Sequence, residues 1–170
     1  MGTWCQGVVD NVKNGTWVGG VETSDEGAWG ERISLLFSYN KEELKNRPNL
    51  EFELVGLHFD LEFLNFDGGV DSGQFGFFDF EHYRNGNSAK DLTKYDFGDD
   101  YDIESGDVWY RAVCNITLAS DQWGVTPNGI VSSSGFGDGS YPSYGLKDSN
   151  GQYIAFVTIF IGGEFGDDEE

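Results

Sequence analysis

The stretch that decides the fold runs from Gly129 to Ile161 and reads GIVSSSGFGDGSYPSYGLKDSNGQYIAFVTIFI. It contains apolar runs of strand length, which are separated by tight turns rich in glycine and aspartate. The turn Asp148-Ser149-Asn150-Gly151 has Asn-Gly at its centre, which is a strong short-range signal for a β-hairpin. The sequence therefore predicts consecutive strands at Gly129–Ser134, Tyr141–Leu146 and Gln152–Ile161.

Similar strand-like runs occur along the rest of the chain. The sequence predicts them at Trp17–Glu22, Arg32–Tyr39, 50–66, Phe75–Phe80, Val108–Ala119 and Trp123–Val125. Only Lys41–Asn46, just before Pro48, has the composition of a short helix. Short strands between glycine turns predict one all-β domain over residues 1–161, an antiparallel β-sandwich or barrel-like sheet with at most one short helix. Residues 162–170 are expected to form an acidic, flexible tail.

The segment 50–66 combines strand-like alternation with acidic residues. Glu51 and Glu53 alternate with apolar residues before the pair Val55-Gly56, and Asp60 and Glu62 do so after it with reversed parity. A β-bulge at this pair would absorb the extra residue and restore the parity. We therefore expect one long, bent strand that has its apolar residues on one face and these four carboxylates on the other.

The charge of the chain is strongly negative, with 30 Asp and Glu, 10 Lys and Arg, and a formal net charge of -20. Nonspecific binding to nucleic acid or to an anionic membrane requires a basic surface, so the composition argues against both. Solubility alone needs far less charge, since a net magnitude of about 2–8 serves a small domain. We therefore expect large negative surfaces that favour a cationic partner.

We expect no targeting signal at the beginning of the chain. Residues Met1–Trp4 lack the basic segment and following apolar run of a signal peptide, and no apolar run approaches the roughly 20 residues of a membrane span. Two cysteines without a secretion signal, Cys5 and Cys114, are expected to be reduced thiols. These observations predict a cytoplasmic protein.

A small ligand or Ca²⁺ is the alternative to a protein partner. The turn around Asp138 offers a carboxylate and follows three hydroxyl groups, those of Ser132, Ser133 and Ser134. A purely structural turn is the more common role of such a sequence, because glycines and aspartates are typical turn formers. The acidic segment 96–107 also offers oxygen ligands, but its spacing does not match an EF-hand loop.

No catalytic motif is present in the sequence. His58 and His82 are the only histidines, and they lack the spacing of a zinc site. No G-x-S-x-G element occurs either, so a hydrolase is the least favoured function. We expect no enzymatic activity and no cofactor.

Two stretches, Val70-Asp71-Ser72-Gly73-Gln74 and SSSGFGDGSYPSY at 132–144, resemble a family of unknown function made up of short bacterial and phage proteins. Its members carry a VDSGQ strand start, a WY…C…T strand and a closing SSSGxGDGSYPVY…DxxGxIxxxxIxF segment. The resemblance covers residues 70–161, is most specific in the last third, and departs at Phe77-Phe78-Asp79, where relatives often carry a DPCY-like turn. It implies a β-rich fold and a bacterial or phage source, and it implies no activity. Further residues that fit the pattern are Trp109, Tyr110, Cys114, Thr117, Gly151, Ile154 and Phe160.

The charge and the resemblance together predict a non-enzymatic binding protein encoded by a phage or mobile element. It would inhibit a host defence or nucleic-acid-binding protein through its acidic surface, as a DNA mimic. The alternatives are a β-sandwich that binds a small ligand or Ca²⁺ and, least favoured, a hydrolase. The carboxylates expected to bind the partner are Glu51, Glu53, Asp60, Glu62, Asp99, Asp100 and Asp102.

Overall fold

A computed structural model describes residues 7–56, 61–64, 69–70, 72–84 and 107–162. Ten strands, two α-helices and three short 3₁₀ helices lie in this part of the chain. The 3₁₀ helices are Gly27–Trp29, Lys41–Lys45 and Phe80–His82, the second of them at the predicted short helix. In chain order the other elements are β1 (Trp17–Asp25), β2 (Glu31–Asn40), α1 (Leu50–Val55), β3 (Glu62–Phe63), β4 (Gly69–Val70), β5 (Gln74–Phe78), α2 (Asp107–Leu118), β6 (Trp123–Thr126), β7 (Gly129–Ser133), β8 (Gly139–Ser140), β9 (Ser143–Lys147) and β10 (Tyr153–Ile159).

The strands form antiparallel sheets, so the predicted all-β fold is confirmed. A five-stranded sheet has the order β1-β2-β10-β9-β3, and a three-stranded sheet has the order β5-β7-β6. Strands β4 and β8 form a separate pair. The turn between β9 and β10 is the predicted hairpin turn: the Asp148 carboxylate accepts hydrogen bonds from the backbone N–H groups of Asn150 and Gln152, and Gly151 has a φ of 78°.

Among the described residues, the five-stranded sheet has a hydrophobic core on each of its faces. On one face, Leu50 and Leu54 of α1 pack against a core that includes Phe37 and Val157. The other face packs against the three-stranded sheet, in a core that includes Leu36 and Ile130. The outer side of the three-stranded sheet is covered by α2. The two larger sheets thus form a sandwich with a helix on each outer side.

A β-bulge in β2 allows this strand to supply both cores. The pairing with β1 passes from Glu22↔Leu35 to Thr23↔Ile33, so Ser34 is the extra residue. The bulge reverses the alternation, and Ile33 therefore lies in the core between the sheets while Leu35 lies in the core below α1. The Ser34 carbonyl accepts hydrogen bonds from the N–H groups of residues 160 and 161, which ties the bulge to the end of β10.

The predicted bent strand over 50–66 is wrong. Leu50 and Leu54 are four residues apart and fully buried, which is the spacing of one helical face, and the segment forms α1. Phe52, which strand alternation would place beside Leu54, is 72% exposed. Within 50–66, the described part of the chain has strand structure only at β3.

The predicted strand over Val108–Ala119 is also wrong, because this segment forms α2. Trp109, Ala112, Val113 and Ile116 are buried and follow the i, i+3, i+4, i+7 pattern of a helix that packs by one face. The described residues therefore contain more helix than the one short helix that the sequence predicts. The predicted all-β fold class is nevertheless confirmed. A single domain over 1–161 stays a prediction, and residues 163–170 of the expected tail lie outside the described residues.

Candidate functional site

Glu51 and Glu53, two of the predicted partner-binding carboxylates, lie on α1, and each contacts a neighbouring side chain. The Tyr39 hydroxyl donates a hydrogen bond to Oε2 of Glu51 over 3.1 Å. Burial of Tyr39 raises the pKa of its hydroxyl, and the Glu51 carboxylate raises it further because it disfavours the phenolate. Glu53 forms an ion pair with Arg47, with 3.3 Å between Oε2 and Nη1. Both carboxylates therefore help to hold α1 in place.

Glu62 lies on β3, on the side of the five-stranded sheet opposite α1. Its neighbour Phe63 packs edge-on against Tyr144, which contacts the core below α1, and successive residues of a strand point to opposite faces. The Glu62 carboxylate pairs with Lys147 at 3.0 Å and accepts a hydrogen bond from the Tyr153 hydroxyl over 3.3 Å. The hydrogen bond to Glu62 raises the pKa of Lys147. The predicted row of carboxylates on one strand face is therefore wrong.

Several residues that the sequence singles out lie outside the described part of the chain, so the structure does not place them. They include the acidic segment 96–106 and several single residues, some of which lie within that segment. These single residues are Cys5, His58, Asp60, Asp71, Asp99, Asp100 and Asp102.

The glycine-rich turn before β8 is held by hydrogen bonds within the protein. Ser134 Oγ donates to the Gly137 carbonyl over 2.8 Å, and the Tyr141 hydroxyl lies 2.7 Å from the same carbonyl and 3.1 Å from that of Ser134. Burial raises the pKa of Tyr141, and the nearby carboxylate of Asp138 raises it further. Asp138 itself is exposed, and its Oδ1 accepts a hydrogen bond from the backbone N–H of Gly73 over 3.0 Å.

Ser132 and Ser133 are neighbours on β7, so their side chains point to opposite faces of the three-stranded sheet. Ser133 Oγ donates to the Thr117 carbonyl of α2 over 3.1 Å. Ser132 Oγ is fully buried and has no hydrogen-bond partner among the described residues. The oxygens proposed to line one ligand loop are therefore spread over two sides of a sheet and the separate turn at Asp138.

The stretches that carry the family resemblance meet in the structure although they lie far apart in the chain. Gly73 receives a hydrogen bond at its carbonyl from the Ser134 N–H over 3.1 Å, and β4 pairs with β8. Gln74 links β5 to α2, because its Oε1 accepts from the Thr117 hydroxyl over 3.0 Å and its Nε2 lies 3.5 Å from the free thiol of Cys114. These contacts fix β5, α2 and the closing segment relative to one another.

The hairpin between β1 and β2 ends in a cluster of carboxylates around an exposed tryptophan. We call residues Asp25–Glu31 the acidic hairpin end. Asp25 and Glu31 are direct cross-strand partners, an arrangement of like charges that is unfavourable in a sheet. Asp25, Glu26 and Glu31 form no ion pair with any described residue. Between them Trp29 is 69% exposed.

The acidic hairpin end is not among the predicted sites, although the sequence contains a signal for it. Three acids occur within seven residues around one Trp, and Gly27 and Gly30 frame the turn. Arg32 is the single basic residue between Lys13 and Lys41. A turn that combines glycines, acids and an isolated large aromatic residue is a candidate binding surface, because an exposed Trp is uncommon in a folded protein.

A groove of about 840 Å³ lies beside β5. Its walls come from the segment before β1, from β5 and from the first part of α2, and Trp17, Phe77 and Phe156 add aromatic surface to it. Ser132, Ser133, Ser134 and Asp138 are not among the described residues that line this groove. The residues predicted to bind a small ligand and the groove are therefore different parts of the molecule.

The described residues contain no group of three or more His, Cys, Asp or Glu side chains arranged to hold a metal ion. His82 lies near one carboxylate, with 3.6 Å between its Nδ1 and Oδ2 of Asp79. In the same described residues, neither α1 nor α2 is long and apolar enough to cross a membrane.

The model of a family described as a protein of unknown function, DUF4241, matches residues 43–158, which is more than half of the chain. The chain belongs to this family. The DUF4241 match begins well before residue 70, where the resemblance seen in the sequence begins, and it includes both α1 and α2. No curated protein and no solved structure matches the chain.

The DUF4241 match divides the candidate surfaces into two groups. Glu51, Glu53, Glu62 and the turn at Asp138 lie within the matched residues. The acidic hairpin end lies before them, because β1 and β2 precede residue 43. The DUF4241 match thus contains the scaffold contacts of the closing segment, while the hairpin of β1 and β2, which belongs to the same five-stranded sheet, precedes the match.

Proposed function

We propose that the protein is a non-enzymatic binding protein that engages a basic, nucleic-acid-binding protein through its acidic surface. The observation that carries the proposal is the excess of carboxylates. The described residues contain 16 Asp and Glu against eight Lys and Arg, and the remaining residues contain 14 against two. Carboxylates displayed in this excess offer a partner's Lys and Arg side chains the same charge as the phosphates of DNA.

The described carboxylates differ in how much charge they offer to a partner. Glu53 and Glu62 are each paired with a cation of the protein itself, Arg47 and Lys147. The three carboxylates of the acidic hairpin end have no such pair among the described residues, and their mutual repulsion is relieved when a cationic surface binds. We therefore propose the hairpin end as a second acidic surface besides Glu51, which lies beside Tyr39 at the other end of β2, and besides Asp60, Asp99, Asp100 and Asp102, which lie outside the described residues.

The biological role that we propose is inhibition of a host defence or nucleic-acid-handling protein by DNA mimicry. A bacterial or phage source, which the family resemblance implies, supports this role. So does the charge, since an inhibitor that occupies a DNA-binding surface needs negative charge far above what solubility requires. The proposal needs no catalytic residue and no cofactor.

A displacement assay tests the proposal. Purified bacterial DNA-binding proteins, including restriction and nucleoid proteins, would each be bound to a fluorescent duplex and titrated with the full chain. We expect at least one duplex to be released, with an apparent affinity that falls steeply as NaCl increases. Release of no duplex from any member of the panel, or release that is indifferent to salt, would contradict the proposal.

Charge-neutralising variants show which carboxylates take part. Glu31→Gln removes one charge from the acidic hairpin end, and Glu53→Gln removes one that Arg47 already compensates. We expect the first variant to weaken displacement more than the second. Equal effects would assign the binding to the overall charge rather than to the hairpin end.

A further inference from the structure

Trp29 is more exposed to solvent than the other described tryptophans. Trp17, Trp109 and Trp123 are buried or half-buried, whereas Trp29 at the end of the hairpin is 69% exposed. An indole ring that stays in water gives up a large amount of hydrophobic stabilisation. Tryptophan is also among the residues most enriched at the energetic centres of protein interfaces.

The backbone that carries Trp29 is held in one conformation. The Glu26 N–H donates to the Gly30 carbonyl over 3.0 Å, and the Trp29 N–H donates to the Glu26 carbonyl over 3.2 Å. The Gly27 N–H donates to the Asp25 carboxylate over 2.9 Å. Gly27 and Gly30 adopt φ values of 61° and 75°, which glycine reaches without strain. The ring is thus presented on a preorganised turn, which lowers the entropy lost on binding.

Two carboxylates of the same hairpin end are also held by hydrogen bonds. Ser24 Oγ donates to the Glu26 carboxylate over 2.7 Å, and Thr23 Oγ1 donates to the Glu31 carboxylate over 2.5 Å. The one cationic side chain of the hairpin, Arg32, donates from Nε to the Trp29 carbonyl. A cation that approaches the ring face is attracted by the π system and by the carboxylates together, whereas an anionic partner is repelled.

We propose that Trp29 is the anchor of a docking surface on which a Lys or Arg side chain of a basic protein lies against the indole ring. Asp25, Glu26 and Glu31 form the charged rim of this surface. The proposal rests on the proposed function, because it names the contact through which the acidic surface holds a basic partner. It commits to a cationic protein segment, since the charge of the rim repels an acidic segment and would stay uncompensated beside an apolar one.

The test uses the full chain and a ten-residue arginine peptide as the probe. Isothermal titration calorimetry at low salt would compare the wild type with Trp29→Ala, Trp29→Phe and Phe136→Ala. Phe136 is the matched control, an aromatic residue that is also exposed but lies in the glycine-rich turn. We expect Trp29→Ala to weaken binding about tenfold, Trp29→Phe to weaken it less, and Phe136→Ala to leave it unchanged. The indole N–H resonance of Trp29 should shift when the peptide is added.

The outcomes separate this proposal from the proposed function. Equal binding of the wild type and Trp29→Ala, with no shift of the Trp29 resonance, overturns the anchor while a positive displacement assay leaves the proposed function standing. Failure of the wild type to bind the arginine peptide also overturns the anchor. Failure of the displacement assay overturns the proposed function, whatever the peptide does. Circular dichroism of each variant establishes that the fold is retained.

Discussion

The hydroxyl of Tyr141 joins the glycine-rich turn to the sheet sandwich. It lies within hydrogen-bond distance of two backbone carbonyls, those of Ser134 and Gly137, while its ring packs edge-on against Phe160 with 5.0 Å between the centroids. The ring and the hydroxyl therefore stabilise the turn in different ways. Removal of the hydroxyl alone separates the two contributions.

We predict that Tyr141→Phe lowers the free energy of unfolding by about 1–2 kcal/mol, because two part-buried carbonyls lose the donor that they share while the ring contact remains. Urea denaturation followed by fluorescence measures the change. Tyr153→Phe is the control, since it removes a hydroxyl whose bond to Glu62 is exposed to solvent, and it should cost clearly less. If both variants were as stable as the wild type, the Tyr141 hydroxyl would not hold the turn.

The raised pKa of Tyr141 also predicts how stability depends on pH. Burial and the Asp138 carboxylate raise the pKa of Tyr141 in the folded protein. The resulting contribution to stability is fully present below the pKa of tyrosine in the unfolded chain, about 10, and it is lost as the pH rises through the pKa in the folded protein. The free energy of unfolding should therefore fall above about pH 10, and the fall should be smaller in Tyr141→Phe. The pKa of Tyr39 is also raised, by burial and by Glu51. Part of the loss of stability above about pH 10 should therefore remain in Tyr141→Phe. An equal fall in the wild type and the variant would contradict the prediction.

At the scale of elements, α2 lies against β6 with little space between them. A Cβ placed at Gly124 would come within 2.8 Å of Cγ2 of Ile116, so the absence of a side chain at Gly124 is what allows this approach. Ile116 is buried in the core that α2 shares with β7. Gly124 and Ile116 therefore form a point of close contact between the helix and the strand.

This match predicts non-additive effects in a double-mutant cycle. Gly124→Ala should destabilise the protein by about 1–3 kcal/mol through overpacking, and Ile116→Ala by about 2–5 kcal/mol through the cavity it leaves. The double variant should be more stable than the sum predicts, because the new methyl group enters part of the cavity. Chemical denaturation of all four proteins measures the coupling. Strict additivity would contradict the packing of α2 on β6.

The strands were predictable from the sequence because their signals are local. The Asn-Gly hairpin turn and the apolar runs of β2, β7 and β10 depend on neighbouring residues, and each lies close to its predicted place. The segment that forms α2 reads VWYRAVCNITL between Val108 and Leu118, and its β-branched and aromatic residues favour a strand by propensity. Its buried residues nevertheless follow helical spacing, and packing against the three-stranded sheet overrides the propensity.

The candidate site also depends on tertiary contacts that local sequence signals do not contain. The excess of acids was visible in the composition, but composition does not show which carboxylates the protein itself neutralises. The ion pair of Glu62 with Lys147 joins residues 85 positions apart, and it exists because β3 pairs with β9. The like-charged pair of Asp25 and Glu31 depends on the register of β1 and β2. Such contacts belong to the tertiary structure and have no signal in a short window of sequence.

At the scale of the whole molecule, a net charge of -20 predicts that stability depends on ionic strength. Self-repulsion opposes the compact state, and it is screened as the Debye length falls from about 30 Å at 0.01 M salt to about 10 Å at 0.1 M. The melting temperature should therefore rise between these concentrations of NaCl. The solvent-accessible ion pairs of Arg47 and Lys147 weaken over the same range, but pairs of this kind contribute only about 0–1 kcal/mol each.

Calorimetry of a single charge-neutralising variant tests whether charge repulsion lowers the stability of the protein. Glu31→Gln removes one member of the like-charged pair with Asp25, and the new amide oxygen can still accept the hydrogen bond from Thr23. We expect the variant to melt above the wild type at 0.01 M salt, with a smaller difference at 0.1 M. A wild-type melting temperature that falls with added NaCl, or a variant that melts below the wild type at low salt, would contradict the role of repulsion.

The surface charge also determines how divalent cations should act on the molecule. Ser134 Oγ donates to the Gly137 carbonyl, Ser133 Oγ donates to the Thr117 carbonyl of α2, and Asp138 Oδ1 accepts from the Gly73 N–H, so each of these oxygens is directed at a different group of the protein itself. A cation at such a surface acts by screening, which depends on charge rather than on ionic radius. We therefore predict that Ca²⁺ and Mg²⁺ at equal concentration shift the melting temperature equally, and that Asp138→Asn shifts in the same way. A larger shift of the melting temperature with Ca²⁺ that disappears in Asp138→Asn would instead assign a Ca²⁺ site to the turn. A larger shift with Ca²⁺ that persists in Asp138→Asn would place a Ca²⁺ site elsewhere on the acidic surface.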